Sequence, residues 1–271
     1  MPQITSSTLP NGLPLHRIAL PGTRATTILV AFDAGARTER PEENGMAHFL
    51  EHMVFKGGEK YDDYKKVNET AERMGGALNA FTSHDLVAFH ITVRAEATME
   101  ALDLLTDFVG RPKIDQADLD KERGVVIQEI ARYKDQPASV AGELIDVAAF
   151  GDHPLGRTVL GPEEHLETFT REAIVGFRER RWTGRQGGAF IVGNVEHLPE
   201  APADGHQNGA LGELFGRFPT LDASGPYEPA PDFAPEVLVE ERDSNQSHLR
   251  MIYRPRIDVT DVKQRAALSI Y

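Results

Sequence analysis

The sequence predicts an α+β fold, a mixed or antiparallel sheet with helices packed on one side. Strand-like and helix-like segments alternate unevenly instead of in a strict strand–helix repeat, so strands distant in the chain must pair. Apolar residues make up 40% and charged residues 26% of 271 residues, a soluble globular composition with enough length for a full core.

Each element has a local cause. Asn11-Gly12 and Pro21-Gly22 mark turns around a short first strand, and residues 26–32 read as a second, largely buried one. Pro41, Glu42 and Glu43 can start a helix, because acidic side chains suit its positive end, and Gly57-Gly58 would stop it. A second helix covers 61–74 and ends at Gly75-Gly76. Residues 77–81 and 86–93 read as strands joined by the polar turn Thr82-Ser83-His84-Asp85. Amphipathic helices follow at 97–109 and 119–133, with Pro112 in the loop between them, then at 140–150 and 171–181, before an apolar strand at 188–192.

Composition changes after that strand. The stretch 199–235 is rich in Gly, Pro, Ala and Asp and reads as a linker, with one short helix expected at 211–215. Beyond it, 236–241 and 247–253 resemble strands and 261–271 begins a helix. A domain of that size is too small to be stable alone, so the tail reads as part of something larger or as packed on the first domain or a partner.

The formal charge of −13 argues against a general nucleic-acid surface, since phosphate affinity comes from clustered Lys and Arg. The run Arg178-Glu179-Arg180-Arg181 fits a solvated helix end better than a docking patch. Nowhere do about 20 apolar residues run together, so no membrane span is expected. The N-terminus lacks a basic and apolar leader, which makes a cytoplasmic location the default. There is no cysteine, so any metal must be held by nitrogen and oxygen.

His48-Phe49-Leu50-Glu51-His52 carries the chemistry. In a helix His48 and His52 lie on one face, close enough for each to give a ring nitrogen to one zinc ion, with Glu51 beside them and free of ligation. Met46, Ala47, Phe49, Leu50, Met53 and Val54 make the remaining faces apolar. Satisfied core histidines are the bland alternative; against it, buried imidazoles and a carboxylate on one apolar helix are costly without a shared partner. A hydrolytic site needs a third ligand, and with 42 acidic residues the candidates are many. Glu122 and Glu129 lie nearly on one face of the 119–133 helix, an arrangement that a solvated acidic stripe explains equally well.

The pentad has the form His-x-x-Glu-His. In its setting from Gly45 to Gly57, the chain resembles the pitrilysin or insulinase metallopeptidases, especially their mitochondrial-processing-peptidase-like branch. The resemblance runs on through residues 76–83, 122–130 and 152–156, Gly161, and 192–195. It implies that residues 1–198 are the N-terminal metallopeptidase domain and that 236–271 start a second, similarly folded one, cut short. It also implies zinc on His48, His52 and Glu129, Glu51 as general base, and Glu122 as an outer carboxylate orienting a ligand histidine. Asn79, Ala80 and Phe81 would lie on the edge strand that receives an extended peptide substrate. The expected activity is zinc-dependent endopeptidase action on extended or unfolded peptides; a non-catalytic or partner-dependent scaffold subunit of the same fold is the alternative. The partner implied is a second homologous half or subunit closing the cleft, a homodimer being one form of it.

Overall fold

A computed structural model gives the architecture and describes residues 2–199, 209–220, 228–232, 236–243, 245–255, 257–258 and 260–269. Strands β1 (Gln3–Thr8), β2 (Pro14–Ala19), β3 (Ala25–Phe32), β4 (Ala77–Thr82), β5 (Val87–Arg94) and β6 (Gly187–Gly193) form one six-stranded sheet in the order β1-β2-β6-β3-β5-β4. Only β2 and β6 run parallel; the other pairings are antiparallel, so the sheet is mixed as expected. The helices are α1 (Met46–Val54), α2 (Tyr64–Arg73), α3 (Thr98–Gly110), α4 (Gln116–Lys134), α5 (Pro137–Phe150), α6 (Glu163–Thr168), α7 (Arg171–Arg181), α8 (Ala210–Phe215) and α9 (Val262–Leu268).

The period-2 rule explains why helices gather on one face. Along β3, Thr26, Ile28, Val30 and Phe32 are buried while the residues between them are half-exposed. Register aligns Ile28 with Ile91 and Ile191, and Val30 with Phe89 and Ala189, so one apolar layer crosses the sheet. Helix α3 covers it with Leu102, Leu105, Phe108 and Val109, all buried. Trp182, just past α7, lies flat on Phe32 with ring centroids 5.3 Å apart and an interplanar angle of 2°.

The helix carrying the pentad starts later than Pro41. Residues 41–43 form a separate 3-10 turn, and Gly45, at φ 99°, breaks the chain before α1 begins at Met46. The carboxylate at the N-terminus of α1 is therefore neither Glu42 nor Glu43 but the buried Glu39, which accepts hydrogen bonds from the Ala47 N–H (2.7 Å), the Gly45 N–H (3.0 Å) and the Asn44 side-chain amide (3.0 Å). Gly45 also meets Gly161 back to back: a Cβ on Gly161 would lie 2.6 Å from the Gly45 Cα, and one on Gly45 2.6 Å from the Leu160 carbonyl oxygen. No side chain fits between them, which seats the start of α1 against the turn before α6. Met46, Ala47, Phe49, Leu50, Met53 and Val54 are all buried, as the pattern requires. Each of the larger ones contributes roughly 1.5–3 kcal/mol, enough to fix the helix face on which His48, Glu51 and His52 stand.

Two differences from the sequence expectation concern strands. The edge strand β1 was not anticipated, because Gln3-Ile4-Thr5-Ser6-Ser7-Thr8 is polar and mostly exposed and offers no buried face to read. Segments 236–241 and 247–253, expected as strands, carry no ladder among the described residues. They run beside α5, bordering a groove of ≈ 940 Å³ with Val140, Leu144 and Ile145. Their Val237, Val239, Leu249, Met251 and Tyr253 are exposed, and no described strand pairs with either segment to satisfy its backbone. Within 199–235, residues 200–208, 221–227 and 233–235 lie outside the described residues; the expected short helix is α8, whose Leu211 and Phe215 are buried in the main core. Asn11 donates from its amide to the Phe215 and Phe218 carbonyls (2.9 and 3.1 Å), which ties α8 to the turn before β2. Helix α9 falls inside 261–271, whose residues 270–271 are outside the description.

Candidate metal centre

Helix α1 packs between α4 and the edge strand β4, so its polar face opens where a helix and the end of a sheet meet. His48 and His52, one turn apart, stand with ring centroids 4.7 Å apart. Glu129 comes from α4: its Oε2 lies 3.4 Å from His52 Nε2 and 3.9 Å from His48 Nε2. His48, His52 and Glu129 thus each offer one ligand atom, all within 4.8 Å of one another. A tetrahedral zinc ion with bonds of 2.0–2.1 Å needs ligand atoms about 3.3 Å apart, so closing the present triangle takes only small side-chain shifts. His48 Nε2 is the ring nitrogen turned toward Glu129, and Nδ1, the other ring nitrogen, is buried without a hydrogen-bond partner.

The electrostatics suit ligation. Burial, with the neighbouring His52 adding to it, brings the His48 pKa down to about 3, so the ring is neutral and keeps a lone pair to offer. Burial works the same way on His52, but the Glu122 hydrogen bond and the charges of Glu122, Glu129 and Glu51 outweigh it and raise its pKa. Glu122 Oε1 sits 2.9 Å from His52 Nδ1, which makes Nδ1 the protonated nitrogen beside an ionised carboxylate and leaves Nε2 facing Glu129. Burial pushes the Glu122 pKa upward, yet its contacts with His52 and Lys56 prevail and hold it below the usual carboxylate range. The second Glu129 oxygen lies 3.5 Å from Arg132 Nη2.

Glu51 stands beside the triangle without belonging to it. Burial raises its pKa and the Glu129 charge adds to this, against the Thr82 hydrogen bond and the His52 charge. The Thr82 hydroxyl donates to Glu51 Oε2. Strand β4 ends at Thr82, and its alternation turns Leu78, Ala80 and Thr82 toward the helices, while Asn79 and Phe81 are exposed. The Ala80 N–H bonds to the Asn79 side-chain oxygen at 2.9 Å. One side of β4 pairs with β5 and the other with no described strand. Asn79, Ala80 and Phe81 thus share a free sheet edge whose last residue touches Glu51.

Two residues at this centre escaped the sequence reading. Thr82 was assigned to a turn, although the strand period places it on the same face as Leu78 and Ala80. Lys56, whose ammonium contacts Glu122 Oε2, lies in the turn two residues past the end of α1, where helical spacing gives no signal.

Residues 17–163 match the family model for insulinase, peptidase family M16. The chain belongs to peptidase family M16. It is 31% identical over 242 residues to the uncharacterized zinc protease YmxG of Bacillus subtilis, spanning 89% of this chain and 57% of that protein. A probable mitochondrial-processing peptidase subunit beta of Arabidopsis thaliana is 34% identical over 196 residues, 72% of this chain and 37% of the relative. This M16 chain therefore spans about half the length of the curated relatives it matches. Among solved structures, pitrilysin superposes with a TM-score of 0.73 at 23% identity over 86% of this chain and 24% of its own. An M16 inactive domain from Pseudomonas fluorescens does so with a TM-score of 0.75 at 15% identity, over 85% of this chain and 54% of its own. These likenesses show the fold. No helix among the described residues is long and apolar enough to cross a membrane.

Proposed function

We propose that this chain is the metal-bearing part of a zinc endopeptidase acting on extended or unfolded peptide segments. The observation that carries the reading is the convergence of His48, His52 and Glu129 beside a non-ligating Glu51, at the open edge of a sheet. His48, His52 and Glu129 would hold zinc, which when bound supplies Lewis acidity toward a water molecule and the scissile carbonyl. Glu51 takes the water proton as attack proceeds and returns it to the leaving amine, and Thr82, engaged with Oε2, leaves Oε1 as the oxygen for that proton. Glu122 keeps the His52 ring turned so that Nε2 faces the metal. Asn79, Ala80 and Phe81 receive the substrate as an added strand, which reads backbone before side chains. A second homologous half or subunit, in trans or as a homodimer, closes the cleft; the greater length of the relatives supports it.

A scaffold subunit is the second reading, favoured by the similarity to a domain named inactive. The complete set of His48, Glu51, His52 and Glu129 speaks against it. Metal analysis combined with cleavage of a mixed peptide library, with and without chelator, separates the two. Zinc binding with chelator-sensitive cleavage is expected, with Glu51→Gln retaining zinc but losing at least about a hundredfold in turnover. Near-normal cleavage by zinc-loaded Glu51→Gln would refute the base assignment. Glu129→Ala is expected to weaken zinc itself, and unchanged stoichiometric binding there would refute the ligand set.

A further inference from the structure

We infer that Lys56 is a positioning residue of the metal centre, which acts by clamping Glu122 in the orientation that aims His52. The inference rests on the zinc reading above and concerns a residue outside the ligand set and the general base. The Glu122 carboxylate is nearly fully buried and used at both ends: Oε1 on His52 Nδ1 at 2.9 Å, Oε2 on the Lys56 ammonium. A carboxylate held at one oxygen can still swing about that contact. Held at both, it has one plane. Because the imidazole turns about a single bond, an acceptor fixed at Nδ1 also fixes the direction of Nε2, here toward Glu129 Oε2 at 3.4 Å.

Lys56 is itself well anchored. Its N–H bonds to the Met53 carbonyl at 3.1 Å, closing the end of α1. Gly57 follows at φ 121°, where a Cβ would lie 2.6 Å from the backbone of residues 61–63, and its carbonyl accepts from the Lys113 N–H at 2.7 Å. The ammonium also stands 5.6 Å from the centre of the Tyr64 ring. The glycine turn after α1 thus aims a lysine back at the carboxylate supporting the metal ligand four residues earlier.

Electrostatics and positioning predict opposite outcomes, which makes the role testable. Deleting a cation near a bound dication relieves repulsion and strengthens zinc binding if charge is all that Lys56 contributes. Loss of the clamp weakens it. The experiment is a Zn²⁺ competition titration against a chromophoric chelator on the wild-type chain, Lys56→Met, Lys56→Arg, Glu122→Gln and the Lys56→Met/Glu122→Gln double variant, with melting curves to verify folding. Lys56→Met is expected to weaken zinc about tenfold, in the range found for partners that orient ligands. Lys56→Arg is expected to recover most of that loss, and the double variant to bind no more weakly than Glu122→Gln alone, since both changes break one link. If Lys56→Met does not fold, Lys56→Gln takes its place with the same expected weakening. Wild-type or tighter affinity in Lys56→Met, or full additivity in the double variant, overturns the inference. A wild-type chain that binds no zinc removes the metal reading itself, and this inference falls with it.

Discussion

Glu39 is buried where a charge is costly, and the hydrogen bonds it accepts at the start of α1 explain why it is there. Burial raises its pKa from 4.5 to about 7, outweighing the hydrogen bonds from Ala47, Asn44 and Gly45 that favour the ionised form. The folded state then holds the Glu39 proton more tightly than the unfolded chain. The associated stability is fully present below pH 4.5, is lost as pH rises to about 7, and stays lost above. Urea unfolding across that window should show wild-type stability falling by an increment that Glu39→Gln lacks. Parallel profiles for the two proteins would exclude Glu39 as the source. Below that window the variant is also expected to be less stable by about 1–3 kcal/mol, because an amide cannot accept at both ends and leaves a buried N–H of α1 without a partner, and the difference should narrow as pH rises to about 7. Residue by residue, the centre was legible only in part. His48, Glu51 and His52 could be read together because one helix carries them all. Glu129 could not be singled out from Glu122 by spacing, since its partner is on another helix, and the resemblance supplied the choice. Lys56 and Glu39 act through tertiary contacts that leave no periodic mark in the chain, and Thr82, which the strand period does place, is told from a turn residue only by the ladder it joins.

Among the elements, α4 is unusual in combining a ligand candidate, its support and an internal glycine. Glu122, Val126 and Ile130 form its buried face and Glu129 its edge toward α1. Gly124 stands between them in a regular helix, and apart from its chain neighbours and the helix's own backbone nothing lies within 4 Å of the position a Cβ would occupy. Glycine costs a helix interior up to about 1 kcal/mol relative to alanine through backbone entropy. Gly124→Ala should therefore raise the melting temperature by about 2–4 °C for a protein of this size, at unchanged zinc affinity. A lower melting temperature would mean that the helix requires the missing side chain for a reason its own contacts do not show. The interior helices and the central strands were readable because their apolar period is enforced by a core. What failed had no such enforcement: β1 faces solvent, and the segments 236–241 and 247–253 lack any described strand to complete them.

For the molecule as a whole, the centre joins parts of the chain that folding must first bring together. His48 and His52 precede β4, β5 and α3, and Glu129 follows all three. An ion that binds all three ligands recognises the folded state and barely the unfolded one, so it stabilises by mass action. Free zinc at about a hundredfold above its dissociation constant is expected to add about 2.7 kcal/mol. The rise in melting temperature should vanish with chelator and shrink in Glu129→Ala. An identical zinc response in wild type and Glu129→Ala would place the ion elsewhere.

The arrangement also sets a clock. Since His52 and Glu129 ride on different helices, an ion held by both would leave by release of one side chain after another or by α4 drawing back from α1. The second route is resisted by Val126, Ile130, Leu50 and Met53, which belong to one buried cluster. A change far from any ligand that loosens the packing of α4 would then shorten the lifetime of the bound ion without altering the ligands themselves.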